Sequence, residues 1–230
     1  MTTQDVSAIV PARATHDFYY AVHKGLRLAH GKLLRQIATC DTGDRTAMAG
    51  LAAAIRHHVA MYRSHLEHED AHLYPPLEAR MPGGTLMQAH EHQGHERAFE
   101  ELVTLADALA SADGQAAPAA LRALYRAYCL FLAHDFEHMD GEEFVLMPLM
   151  QVLFSDAELQ AIEAEMLADI PPDQAGWFMG VMLAAATKPE RVAMIGEWKA
   201  AMPPEVFTGA MNGVVGGTWE DGDLSAFDRL

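Results

Sequence analysis

The feature that most restricts this chain is a polar unit that occurs twice at one spacing. His65-x3-Glu69-x5-Pro75 is matched by His138-x3-Glu142-x5-Pro148, and in both copies a second acid follows the glutamate, Asp70 and Glu143. On a helix, residues i and i+4 lie one turn apart on the same face. The first copy shares its face with Ile55, Val59, Tyr62, Leu66 and Leu73, which are apolar at helical spacing. An imidazole and a carboxylate are thus placed where a core would form. Buried polar groups need partners, so the fold must bring them something to bind. With a third pair, His92/Glu96, the sequence exceeds the number chance supplies, about one at this composition.

The segment that holds these units reads as helix, with almost no strand signal. A first helix is expected over Thr15–Thr39, closed by the loop CDTGD, in which Asp44 suits the N-cap of the next. The second runs to about Ala79 and is disturbed at Pro75 and Pro76. MPGG turns the chain into a third helix over Thr85–Ser111, with Phe99, Leu102, Ala106 and Leu109 inward. After ADGQAAP a fourth covers Pro118–Phe154, with Leu124, Tyr128, Phe131 and Val145 inward. Four long helices joined by short loops predict an all-α antiparallel up-down four-helix bundle, assigned to residues 1–154. Its second and fourth helices would be diagonal, so the repeated units converge on the axis.

Residues 155–230 differ in composition. All thirteen histidines lie between His16 and His138, whereas Trp177, Trp198 and Trp219 all lie in this tail. It opens with a capping box, Ser155 and Glu158, and the prolines at 171–172, 189 and 203–204 divide it into three or four short helices. A C-terminal extension of short helices is expected, acting as a cap or as an interaction surface through which a homodimer could form.

Composition narrows the partners. A net charge of −16 argues against nucleic acid, whose affinity comes largely from basic contacts to phosphate. No apolar run reaches membrane-spanning length, and MTTQDVSAIVPARATHDF lacks the charged start and apolar block of a signal peptide. Cys40 and Cys129 are too few for a disulfide framework and read as plain thiols. A cytoplasmic protein with no membrane or nucleic-acid partner is the expectation.

The first and third helices must complete the cluster. The first offers His16, His23 and His30 at steps of seven, and the third offers His92 and His95, which heptad stepping from Phe99 and Leu102 does not separate. One imidazole from each helix and a glutamate from two make four imidazoles and two carboxylates. Two six-coordinate metal ions need about twelve bonds, and these donors with bridging carboxylates and a bridging solvent oxygen supply about ten. Roughly two positions remain for a small molecule, which marks a reactive centre rather than a closed structural one.

The ordered pattern H…HxxxE…H…HxxxE, in VHKGLR, HLEHEDAHLYP, AHEHQGHERAFEEL and HMDGEEFVLMP, resembles the haemerythrin-like (HHE cation-binding) domains over about residues 15–150. The resemblance implies two iron ions, oxo- or hydroxo-bridged, held by His23, His65, Glu69, His92, His138 and Glu142, with both glutamates bridging. His95, His30, His58 and His72 are further candidates for ligation. Tyr62 and His134 are candidates to stand beside the centre, with His68 at its rim and Glu96 outside. One departure matters. Oxygen-carrying haemerythrins use five histidines and a His-x4-Asp on the fourth helix, where this chain has His138-x3-Glu142. The similarity is therefore to the wider bacterial group, and implies a centre that binds or reacts with O2, H2O2 or NO. Such a centre serves a peroxidase- or catalase-like enzyme, an NO-processing one, an oxidase or oxygenase of an organic substrate, or a sensor or carrier signalling through the C-terminal helices. Two other classes fit less well. The ferritin-like Glu-x-x-His motif occurs once, at Glu69 and His72, and a zinc hydrolase wants three ligands on one metal and a separate base.

Overall fold

The computed structural model describes residues 15–230, and every regular element among them is helical. Helix α1 (Tyr20–Ala38) starts later than the expected Thr15, because the Asp17 carboxylate accepts the Tyr19 and Tyr20 amides at 2.8 and 3.0 Å and fixes the first turn there. Helix α2 (Arg45–His68) is capped by Asp44, whose carboxylate accepts the amides of Thr46 and Ala47. A single π-turn, Glu69–Leu73, then leads into α3 (Tyr74–Arg80). Helices α4 (Leu86–Ser111) and α5 (Ala116–Gly141) follow, and α5 ends in a second π-turn, Glu142–Leu146, before α6 (Met147–Leu153).

Both π-turns begin at the glutamate of the repeated unit and end two residues before its proline. The amides of Tyr74 and Met147 reach back five residues, to the carbonyls of Glu69 and Glu142. A proline cannot donate to the carbonyl one turn behind it, and the widened turn immediately precedes the prolines of α3 and α6. Such turns carry one extra residue and rotate everything after them. Val145 was expected inside on uninterrupted periodicity. It is 59 % exposed, and Leu146 and Met147 hold the inward positions at 1 %.

Helix α1 packs on α2, α2 on α4, α4 on α5 and α5 on α1, so α2 and α5 stand opposite each other. Leu26, Ile55, Val59, Phe99, Leu102, Ala106, Leu124, Tyr128 and Phe131 fill the space between them. A second apolar cluster, including Phe18, Leu73, Leu77, Met147 and Met150, closes the end beyond the π-turns and takes in Leu159 of α7 (Asp156–Asp169). The Ser155–Glu158 capping box of α7 forms as expected.

Helices α8 (Pro172–Ala185), α9 (Lys188–Ala201) and α10 (Pro204–Val215) each begin with a proline in the first turn, where the missing N–H is no loss. A final 3-10 turn, Leu224–Arg229, completes the chain. These elements share a small core of Met179, Leu183, Ile195, Phe207, Met211, Trp219 and Phe227. Helix α8 lies along α1. The approach is close because Gly25 has no side chain. A Cβ there would sit 2.8 Å from the Val181 carbonyl carbon and 2.9 Å from its oxygen. No single helix among the described residues is long and apolar enough to cross a membrane.

Candidate metal centre

The six residues with the resemblance-implied role meet in the interior. His23 comes from α1, His65 and Glu69 from α2 and its π-turn, His92 from α4, and His138 and Glu142 from α5 and its π-turn. All six are at most 8 % exposed. Their donor atoms form two groups that share Glu69: His23, His65 and Glu69 on one side, and Glu69, His92, His138 and Glu142 on the other. Glu69 Oε1 lies 3.1 Å from His65 Nε2 and 3.8 Å from His23 Nε2, whereas Oε2 faces His92 Nε2 at 3.5 Å. One carboxylate thus addresses both groups. Glu142 Oε2 sits between His23 Nε2 at 3.5 Å and His138 Nε2 at 3.4 Å.

Five of these buried atoms have no hydrogen-bond partner: His23 Nε2, His65 Nε2, both oxygens of Glu69, and Glu142 Oε2. Orphaned polar atoms in a core are rare and costly. Here they converge on one another, with the nitrogen and oxygen chemistry that divalent transition metals accept. The donor set fits two metal ions.

The outer nitrogens of three imidazoles are held by acids. His23 Nδ1 lies 3.1 Å from Glu143, His92 Nδ1 3.0 Å from Asp70, and His138 Nδ1 2.8 Å from Glu91. Such carboxylate contacts fix the ring and its tautomer and leave Nε2 free to ligate. Asp70 and Glu143 are the acids that follow the repeated glutamates, so the sequence displayed them without showing what they hold. Glu91 carried no such signal.

The electrostatics follow from the burial. Burial alone would lower His23, but the hydrogen bond to Glu143, the approach of Glu69 at 3.8 Å and the charge of Glu142 carry it up to about 9. Burial would lower His138 too, and the Glu142 charge, the Glu91 hydrogen bond and the Glu69 charge bring it to about 9. His65 has no acid on its far side, and burial takes it down to about 4. Burial would raise Glu69, but His65, His23 and His92 hold it at about 2. Burial and the neighbouring Glu69 push Glu142 up to about 7.

Two tyrosines that sequence reasoning missed border the cluster. The Tyr74 hydroxyl donates to Glu142 Oε1 at 2.8 Å and lies 3.0 Å from His92 Nε2. It reaches inward because the π-turn rotates the chain after Glu69. The Tyr19 ring lies against His23, with 4.9 Å between centroids, and its buried hydroxyl has no partner.

The remaining candidates separate. His95 does not enter the ligand groups: its ring packs 4.8 Å from that of His138 and its Nε2 lies 3.6 Å from Asp135. His30 and His58 lie in the core but bond to each other, Nδ1 to Nε2 at 2.9 Å, away from the six. His72 points the other way, to Asp169 of α7 at 3.2 Å. His134 is exposed, and the inward position beside it belongs to Asp135, which was not singled out. Tyr62 is fully buried and donates to Asp135. Glu96 pairs with Arg63 at the surface, and His16 with Glu163. His68 sits against its own helix, at Ser64. Cys40 and Cys129 are free and half-buried.

This is the donor set of a helical metal-binding protein. The family model for the Hemerythrin HHE cation binding domain matches residues 21–167, and the chain belongs to that family. The match extends into α7, past the boundary expected at residue 154. Comparison with curated proteins and with solved structures gave no match.

Proposed function

We propose that this chain is a non-haem di-iron protein whose centre takes a small ligand, O2, H2O2 or NO, inside an antiparallel up-down four-helix bundle formed by α1, α2, α4 and α5. The observation that carries the reading is the pair of donor groups sharing Glu69, with five buried atoms that no protein group satisfies. His23 and His65 would hold one iron, His92 and His138 the other, and Glu69 and Glu142 would bridge. The absence of thiolate among the donors and the mixture of imidazole and carboxylate suit iron, and family membership supports it. Iron so bound supplies open coordination positions and reversible one-electron change. The protein contributes the rest: acids on Nδ1 orient the imidazoles, the Tyr74 hydroxyl holds Glu142, and the apolar clusters keep bulk water out.

A second reading, a redox sensor, is favoured by one contact. Phe178 of α8 packs against the His65 ring at 6.3 Å, and Ser64 next to it hydrogen-bonds Gln174 of the same helix. Movement of His65 would reach the C-terminal helices. Metal analysis with Mössbauer and absorption spectra tests the common core of both readings, with two coupled irons per chain expected. Repeated peroxide consumption supports the enzyme. A change in protease sensitivity of α8–α10 on oxidation, without turnover, supports the sensor. Absence of iron, or a single zinc per chain, refutes the di-iron centre.

A further inference from the structure

Beside the six residues lies a second buried polar layer that coordination does not use. His30 stands seven residues after His23, His58 seven before His65, and Asp135 seven before Glu142, so each repeats a member of the centre two turns along its own helix. His30 and Asp135 are fully buried and His58 is 7 % exposed. Leucines at these positions would pack without the penalty of burying polar groups. The donors do not converge on a point and form no ligand group among the described residues. They run in line. His58 Nε2 lies 2.9 Å from His30 Nδ1, His30 Nε2 lies 3.0 Å from Asp135 Oδ2, and Asp135 Oδ1 accepts the Tyr62 hydroxyl, with His95 Nε2 3.6 Å away. Tyr128 also reaches His30 Nδ1, at 3.0 Å.

Both ends of the line have a destination. His58 lines an open cleft of about 890 Å³ between α1, α2, α8 and α10, where the exposed side chains of Lys32 and His57 also face. At the other end the Tyr62 ring packs on His65 at 5.7 Å, and the His95 ring on His138 at 4.8 Å. We propose that His58, His30 and Asp135 form a proton relay between this cleft and the metal centre. The inference rests on the reactive-centre reading above, since reduction of O2 or peroxide to water consumes protons in a site closed to bulk solvent.

The hydrogens balance along the line. A proton taken up at His58 is matched by transfer of its Nε2 proton to His30 Nδ1. His30 Nε2 and Asp135 Oδ2 stand 3.0 Å apart without forming a hydrogen bond, so a small turn of the ring aligns them as His30 passes its Nε2 proton to Asp135. The Tyr62 hydroxyl, which donates to Asp135 Oδ1 at rest, turns toward the centre, gives its proton to the O2- or peroxide-derived ligand there, and takes the proton held by Asp135 in its place. One proton enters at the cleft, one leaves beside His65, and each imidazole resets by exchanging its tautomer. These are positioning and transfer groups, not ligands.

The test is the exchange of the His30 ring protons with water, followed by NMR in the full chain with ¹⁵N-labelled histidine, as isolated and after adding zinc. His58→Phe fills the site and cannot transfer. His58→Gln keeps a donor toward His30 but has no second nitrogen to pass a proton through. A relay predicts that both variants slow exchange on the order of tenfold or more, and that Asp135→Asn slows reduction of the iron-loaded protein by dithionite to a similar degree while metal content is kept. If His58→Gln exchanges like the parent, or if neither variant changes the rate, the network is structural and the relay is wrong. The exchange pattern is read whether or not the chain takes up metal, so the relay and the di-iron reading fail separately.

Discussion

Adding ferrous ion anaerobically to the metal-free protein at pH 7 should release about two protons per chain, because each ligating nitrogen must be bare. His23 and His138 both titrate near 9 and carry an extra proton at pH 7. Each Nδ1 keeps its proton and donates it to Glu143 or Glu91, so the proton displaced in each case is the one on Nε2, which faces the cluster. His65, near 4, is already neutral and releases nothing. Glu142, near 7, adds a fraction of a proton. Calorimetric titration in buffers of different ionisation enthalpy measures the number directly. The apparent affinity should also rise about a hundredfold from pH 7 to 8, the slope that two released protons impose. Heats independent of buffer, with affinity flat in pH, would show that His23 and His138 do not ligate through Nε2, and the assignment of the centre would fall with them.

Stability of the metal-free protein should follow the same groups. His23 and His138 have folded values above 6.5, so their contribution is complete below pH 6.5 and lost as pH rises through about 9. The loss is of order 3 kcal/mol for each of the two, or several degrees in Tm apiece. A thermal midpoint that rises from pH 6.5 to 9 would contradict this. His65 works oppositely, its contribution being lost as pH falls from 6.5 toward 4. Asp70→Asn and Glu91→Gln leave the proposed ligands His92 and His138 without their anionic partners, and metal affinity by chelator competition should drop about 10–100-fold with the fold intact. Tyr74→Phe strips the hydrogen bond from buried Glu142 Oε1 and should cost about 1–3 kcal/mol in denaturant unfolding. Gly25→Ala drives a methyl group into the Val181 carbonyl. It should destabilise by about 1–3 kcal/mol and make α8 easier to cleave, and an unchanged cleavage pattern would mean that α1 and α8 do not need this approach.

What could be read from the residues was local. Asp44 and Ser155 start helices through hydrogen bonds to amides two or three residues on, and i,i+4 geometry alone puts His65 with Glu69 and His138 with Glu142. The apolar faces of the second and third helices were legible for the same reason, since their periodicity is a property of one helix. Val145 failed that reading because it lies within the π-turn Glu142–Leu146, whose extra residue breaks the helical period. The tertiary structure decided everything that depends on distance between helices. His92 and His95 both face inward, three residues apart. Only the placement of α4 against α2 and α5 sets His92 beside Glu69 and His95 beside Asp135. His23 and His30 are likewise equivalent in heptad position, and the depth at which α1 sits assigns one to the metal cluster and the other to the buried line through Asp135. Tyr74 and Glu91 lie inside the motif stretches, but no spacing marks them out, and they reach their partners across the interior. Side-chain contacts between helices are fixed by the packing of the whole core, which no single periodicity encodes.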